Sequence, residues 1–257
     1  MAIKIGFFIT KGGNAKTTSA LEMAFFLKRF FQKKILFLDI DPQKTSTNFL
    51  TIQENENIGS IFDVLTGEKK ITEIIRKGKH VDFIASSTKL NHSDTFLSEV
   101  GKDRILKENL DKIKDNYDVI IIDFPPAATK LTICGLTAID KLLIPCQADS
   151  FSIDSLNSTN ELHLAVKKYL NPSLELGGVL LTRYKKTLLS EEIIKAIEKI
   201  ALSMGTFVYK SKIRESILIR EAQLAKSSIN KRAGHSPVSS DIFDFIDEFG
   251  ERYVKEI

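Results

Sequence analysis

Short apolar runs recur along the chain at residues 3–9, 35–39, 81–85, 119–123, 141–145 and 176–182, separated by longer amphipathic stretches. Most of the runs are rich in Ile, Val, Leu and Phe without polar alternation, the pattern of strands buried on both faces. Between them, apolar positions return at helical spacing. Residues 17–31 carry Ala20, Leu21, Ala24, Phe25 and Leu27 at that period, and residues 153–170 and 189–204 behave likewise. Strands alternating with helices predict an α/β fold, a mostly parallel sheet flanked by helices on both faces. Residues 51–79, with their glycines and mixed charges, predict short helices and loops rather than sheet. No internal repeat, low-complexity tract or Pro/Gly/Ser-rich linker interrupts the pattern, so one domain over residues 1–257 is expected.

Composition changes this picture little. With 43% hydrophobic and 27% charged residues, the chain has enough apolar matter for a sizeable core and little room for long disorder. The net charge of +4 is too small to imply a nucleic-acid partner, so the clustering of basic side chains must decide. Cys134 and Cys146 lie in apolar company without CxxC spacing, as expected for buried thiols in a reducing cytoplasm. The first residues lack the charged head and apolar stretch of a signal peptide, and no run reaches the ~18–20 apolar residues of a membrane span.

Candidate chemistry begins where the first strand gives way to the first helix, at Thr10-Lys11-Gly12-Gly13-Asn14-Ala15-Lys16-Thr17-Thr18. A glycine-containing turn in that setting aims successive backbone N–H groups into one concavity, and the helix N-terminus adds positive potential. Lys16 is placed to reach β and γ phosphates, Thr17 to bind Mg²⁺ and Thr18 to meet the α phosphate. The general pattern G-x-x-x-x-G-K-[ST] is missed twice, because Thr10 and Ala15 stand at the two glycine positions. Taken alone, the partial match is a weak signal, and a Gly-Gly turn entering a helix with two exposed lysines is the plain reading it competes with. Two acid-ended strands count against that plain reading. Asp39-Ile40-Asp41-Pro42-Gln43 closes the second run, and Asp123-Phe124-Pro125-Pro126 closes the run at 119–123, where a P-loop NTPase presents its Mg²⁺-directed acid.

In this order, K-G-G-x-x-K-T-T (11–18), D-I-D-P-Q (39–43) and I-I-I-D-F-P-P (120–126) resemble the ParA family of deviant Walker ATPases, whose relatives include MinD and the nitrogenase iron protein. Residues 131–140, 143–151, 180–183, 213–216 and 220–222 extend the resemblance over most of residues 1–230. The resemblance implies a Mg²⁺-dependent, slow and partner-stimulated ATPase that dimerises on ATP. Lys11, Gly12, Gly13, Asn14, Ala15, Lys16, Thr17 and Thr18 then cradle the nucleotide. Lys11 matches the signature lysine that crosses a homodimer interface to the partner's phosphates, and Lys16 the ordinary P-loop lysine. Asp41 matches the acid that positions the attacking water, making Lys11, Lys16 and Asp41 the catalytic set. Thr17, Asp39 and Asp123 form the metal set. Ala15 departs from the family's glycine, which predicts slower turnover rather than lost binding, with Asn14 the side chain placed to compensate.

A partition ATPase also implies nonspecific DNA, a ParB-like centromere-binding activator, plasmid or chromosome cargo and a cytoplasmic, nucleoid-associated location. Candidate DNA contacts are Arg183, Lys185 and Lys186 after a strand, together with Lys212, Arg214 and Arg220 from residues 209–232, which carry several basic side chains against only Glu215 and Glu221. The alternative is a MinD-like or cargo-positioning ATPase acting on a protein or membrane. Its basic C-terminal amphipathic helix has no counterpart here: residues 241–249 are amphipathic but acidic, so they are expected to pack on the domain, and no membrane partner is expected. Cys134 and Cys146 do not sit where a cluster shared between subunits needs them, and no N-terminal helix-turn-helix precedes the first strand.

Overall fold

A computed structural model of the chain describes residues 2–52, 58–78 and 80–254. Its strands are β1 (Ile3–Phe7), β2 (Ile35–Asp39), β3 (Ile75–Lys77), β4 (Asp82–Ile84), β5 (Val119–Asp123), β6 (Lys141–Cys146), β7 (Glu175–Tyr184) and β8 (Val208–Arg214). They form one sheet in the order β3-β4-β2-β5-β1-β6-β7-β8, parallel throughout except for β3 against β4. The helices are α1 (Lys16–Phe30), α2 (Thr45–Leu50), α3 (Ile61–Leu65), α4 (Ser93–Phe96), α5 (Ile105–Asp111), α6 (Lys130–Ala138), α7 (Ser150–Tyr169), α8 (Leu188–Ser203), α9 (Ile217–Leu224), α10 (Ile229–Ala233) and α11 (Pro237–Tyr253).

The uninterrupted apolar runs divide between two cores. Ile35, Phe37, Val119, Ile121, Leu143 and Leu180 join α1, α2 and α11 on one face. Their alternates Leu36, Leu38, Ile120, Ile122, Leu142 and Leu181 join α3, α5, α6, α7 and α8 on the other. Two-sided burial is why these strands need no polar alternation. At α11, Val238, Ile242, Phe245, Ile246 and Phe249 are buried at three- and four-residue spacing, so the acidic C-terminal helix packs on the domain as expected.

Two strands escape the hydrophobic reading. The segment expected to lack sheet contributes β3, a three-residue antiparallel edge. At the other edge, β8 buries Tyr209 and Ile213 while Lys210 and Arg214 are exposed, so it carries no continuous apolar run. The central strand, β1, lies between β5 and β6. The chain leaves β1 toward β2 on one side, whereas the connection from β5 crosses to β6 on the other, so the carboxyl ends of β1 and β5 form the switch point at which open α/β sheets bind ligands.

One buried acid lies behind that point. Glu22 of α1 is buried, its Oε1 accepts from the Ile229 backbone N–H at 3.0 Å, and its Oε2 has no hydrogen-bond partner. Burial pushes its carboxyl up to about 8, with the Ile229 N–H pulling slightly the other way. A carboxyl raised in the folded state keeps its stabilising proton below its ordinary value and loses it as pH climbs through the raised one. Stability is therefore expected to fall by up to roughly 1.4 kcal/mol per pH unit from this group, across the window between 4.5 and about 8. Glu22→Gln keeps the shape and removes the titration, so its urea-unfolding stability should lose that slope relative to the parent. Parallel pH profiles for the two proteins would refute the assignment.

Candidate functional site

Residues 8–15 link β1 to α1 and carry the conformations a phosphate cradle needs. Gly13 has φ +82°, a left-handed value that its missing Cβ permits, and nothing lies within 4 Å of where a Cβ would stand. Ala15, immediately before α1, has φ 57° and ψ 28°. No side chain caps α1 and no acid occupies its first turn, so the leading N–H groups face the cleft without an internal anion. That cleft encloses about 380 Å³ and is lined by Gly12 through Thr18, with Asp41, Thr45 and Pro126 on one side and Arg183, Ser216 and Arg220 on the other.

The left-handed alanine is held by its neighbour. Asn14 is fully buried, its Nδ2 donates to the Lys11 carbonyl at 3.2 Å, and its Oδ1 accepts from the Gln147 N–H at 3.2 Å. Gln147 Nε2 and Arg183 Nη1 both donate to the Gly13 carbonyl, at 2.7 and 3.4 Å, so the ends of β6 and β7 brace the turn. A non-glycine residue in this region costs about 1–2 kcal/mol, whereas an added glycine loosens the unfolded chain by about 0.4–1 kcal/mol. Ala15→Gly is accordingly expected to raise the unfolding midpoint slightly and to accelerate single-turnover hydrolysis. A lowered midpoint with an unchanged rate would mean that Ala15 is no brake.

The two lysines of the loop lie in different surroundings. Lys16 is buried and donates from Nζ to the Lys11 carbonyl at 3.2 Å. Burial lowers its pKa, and the nearby carboxylates of Asp123 and Asp41 oppose that. Lys11 instead points away from its own cradle. Its Nζ lies 2.6 Å from Asp149 Oδ2 and 5.5 Å from the centre of the Phe151 ring.

Three acids converge on the opposite wall. β2 and β5 are neighbours in register, which sets Asp39 directly beside Asp123, and both are fully buried. Burial raises both pKa values, and crowding by another acid adds to it: Asp123 for Asp39, and Asp41 for Asp123. Asp39 has both oxygens engaged. Oδ1 accepts from the Asp41 N–H at 2.9 Å, and Oδ2 accepts from the Thr47 N–H at 2.8 Å and the Thr47 hydroxyl at 2.7 Å. Asp123 Oδ2 accepts from the Ser46 hydroxyl at 2.5 Å, but its Oδ1 is buried without a hydrogen-bond partner, although the Thr17 hydroxyl is near enough to hold its pKa down. Asp41 is half-buried, with its carboxyl raised by burial and lowered by the Gln43 N–H and Lys16.

These features fit a triphosphate with one divalent cation. The orphaned Asp123 oxygen and the Thr17 hydroxyl would supply part of an oxygen shell, and among the described residues no cluster of three His, Cys, Asp or Glu side chains forms a complete cage. A partial shell completed by phosphate oxygens and water is how Mg²⁺ is commonly held. Gly12 through Thr18 of the expected cradle line the cleft, with Asp39 and Asp123 buried beside Asp41, whereas the Lys11 side chain turns out to Asp149 and both oxygens of Asp39 accept internal hydrogen bonds. Thr18 Oγ1 accepts from Gln223 Nε2 of α9 at 2.8 Å.

The basic candidates gather at the adjoining edge, where β7 and β8 end side by side. Arg183 and Arg220 line the cleft itself. Arg183 and Lys185 share Glu215, at 3.3 and 2.5 Å, and Arg214 makes a two-pronged pair with Asp241 at 2.6 and 2.7 Å. Lys212 Nζ lies 5.0 Å from the Tyr184 ring centre, and Lys186 is exposed. Sequence reasoning missed Ser46, Thr47, Gln147, Asp149 and Gln223. The hydroxyls at 46 and 47, a few residues beyond Asp41-Pro42, were a legible signal, whereas Gln147, Asp149 and Gln223 reach the loop only through the fold.

A family described as an AAA domain matches residues 2–176. The sporulation initiation inhibitor protein Soj of Bacillus subtilis (strain 168) is 32% identical over 221 residues, which cover 84% of this chain and 84% of that protein. The chromosome-partitioning ATPase Soj of Treponema pallidum (strain Nichols) is 29% identical over 84% of this chain and 83% of its own. Among solved structures, apo McdA from Cyanothece superposes with a TM-score of 0.87 at 23% identity, over 97% of this chain and 99% of that one, a likeness of fold.

Proposed function

We propose, from a chain that belongs to the ParA/Soj-type family of P-loop ATPases, that this protein is a partition ATPase working as an ATP-driven dimeric switch on DNA. ATP and Mg²⁺ are its cofactors. The observation that carries the reading is the pairing of a buried lysine, Lys16, inside the cradle with a second lysine, Lys11, aimed out of it. Phosphoryl transfer depends mostly on positioning and on neutralising spread charge, so one lysine serving its own nucleotide and one serving a partner's suit a two-nucleotide dimer.

In this reading residues 1–257 act as one unit. Residues 11–18 hold the phosphates, Thr17 and Asp123 hold Mg²⁺ with Asp39 beside them, and Asp41 orients water. Bound Mg²⁺ neutralises the developing charge on the phosphates. Turnover is slow until a ParB-like activator binds, and release from the nucleoid follows hydrolysis. Arg183, Lys185, Lys186, Lys212, Arg214 and Arg220 contact DNA without sequence preference. Their position at the rim of the cleft supports coupling between nucleotide and DNA. The buried apolar face of α11 and its acidic outer face favour DNA over a membrane as the surface on which the switch acts.

The test is binding to random-sequence DNA across a salt series, with and without ATP. Affinity should need ATP and fall with a log–log slope near −0.9 per phosphate neutralised, so Lys185→Ala combined with Lys186→Ala should flatten that slope by about 1–2. DNA affinity that ignores ATP, or none at low salt, would sink the partition mechanism and leave cargo positioning through a protein partner.

A further inference from the structure

The start of α2 touches both buried acids, and it does so unequally. Thr47 meets Asp39 with its backbone N–H and its hydroxyl, at 2.8 and 2.7 Å. Because Thr47 Oγ1 also accepts from the Ser86 N–H at 2.9 Å, its own proton is committed to Asp39. With the Asp41 N–H on the other oxygen, Asp39 has become the anchor of the loop that carries Asp41, and no oxygen of it is spare. Ser46 touches only one oxygen of Asp123. The other, Oδ1, is buried with no hydrogen-bond partner, and the Thr17 hydroxyl and Lys16 ammonium of the phosphate loop are near enough to hold the Asp123 carboxyl down.

We propose that Ser46 is a positioning residue that fixes the rotation of the Asp123 carboxylate, so that its remaining oxygen faces the cation of the nucleotide site. The inference rests on the reading of that site as one for a nucleotide with Mg²⁺. Ser46 does not line the cleft and reaches the site only through Asp123. It is fully buried, so water does not replace its hydroxyl when that is removed, and the carboxylate then turns without a fixed partner. Groups that orient a metal-directed side chain typically change metal affinity by about 10–100-fold when lost. Thr47 and Ser46, side by side on one turn, thereby sort two adjacent acids into an anchor and a cation-facing group. In a low-dielectric interior this matters, because two neighbouring carboxylates turned toward the same point repel each other unless hydrogen-bond donors separate their tasks.

The experiment is a Mg²⁺ titration of the full chain, following the binding of a fluorescent ATP analogue, with nucleotide binding in EDTA and thermal unfolding measured alongside. Ser46→Ala should raise the Mg²⁺ concentration for half-maximal effect by about tenfold or more while leaving binding in EDTA unchanged. Ser46→Cys, close in shape but a weak donor, should move the same quantity less, and serves if the alanine variant unfolds. In an Asp123→Asn background Ser46→Ala should produce no further shift. An unchanged Mg²⁺ midpoint in both variants, or a loss of EDTA binding that parallels it, would assign Ser46 to packing alone. If the parent protein itself shows no Mg²⁺-dependent nucleotide binding, the nucleotide reading is what has failed.

Discussion

Asp123→Asn should lower Mg²⁺-dependent ATP hydrolysis by about 10²–10³-fold and, in the same protein, raise the unfolding midpoint of the nucleotide-free chain. The two effects have one cause. Asp123 and Asp39 are register partners on β5 and β2, both fully buried, and burial together with crowding by neighbouring acids raises both carboxyl groups. Without a cation, ionising the pair is unfavourable, and the fold bears that cost because the site needs the charge when nucleotide and Mg²⁺ arrive. An amide removes the repulsion, retains a carbonyl oxygen to accept from Ser46, and can no longer offset the cation's charge. The pH dependence follows from the sign of the shifts. Carboxyl groups raised in the folded state are neutral and harmless at low pH and become unfavourable as pH rises, so the advantage of Asp123→Asn should be small near pH 5 and larger near pH 8. Thermal unfolding at the two pH values, with the hydrolysis rate measured alongside, checks both halves. A variant that is inactive and also less stable at pH 8 would show that the ionised pair is not the source of strain.

Much of this site was legible because its parts are local. A loop between a strand and a helix, with Gly12-Gly13 and Lys16-Thr17, needs only the residues at hand to form an anion cradle, and strands buried on both faces announce themselves by unbroken apolar runs. Ala15 could be identified as a departure, and it does stand at a positive φ. The less legible parts are those in which one face of an element is wet or the partner is distant. β8 alternates buried Tyr209 and Ile213 with exposed lysine and arginine, and so resembles a solvated stretch. Asn14 was expected to compensate for Ala15, but its partner Gln147 lies 133 positions away. Nothing in the spacing of Asp39 and Asp41 shows that Thr47 and the Asp41 N–H together engage both oxygens of Asp39 while Asp123 keeps an oxygen without a hydrogen bond. The sequence order of the acids locates the acidic wall of the cleft. Which oxygen is left without a hydrogen bond is set by side chains that close the loop in three dimensions.

Lys11→Ala is expected to abolish the ATP-dependent dimer while nucleotide binding by the monomer persists, and Asp149→Asn is expected to strengthen that dimer. In the isolated chain the Lys11 ammonium is paired with Asp149 at 2.6 Å, with the two side chains 27% and 35% exposed. A partly exposed pair of this kind contributes at most about 1 kcal/mol. In the proposed dimer, attraction to the triphosphate of the second subunit would exceed that readily, because charge-assisted hydrogen bonds to phosphate are among the strongest polar contacts. The contact with Asp149 would then be a weak parking place that association has to undo. Asparagine is the instructive substitution, since Asp149 also caps α7 by accepting from the Ser152 N–H at 2.9 Å, and asparagine caps equally well. Freed of at most about 1 kcal/mol in each of two subunits, the dimer should form at up to roughly 30-fold lower protein concentration. Sedimentation velocity with a slowly hydrolysed ATP analogue reads both variants. A dimer that survives Lys11→Ala would remove the lysine from the partner's site, and a dimer weakened by Asp149→Asn would make the pair with Asp149 part of the assembled state rather than a contact broken on the way to it.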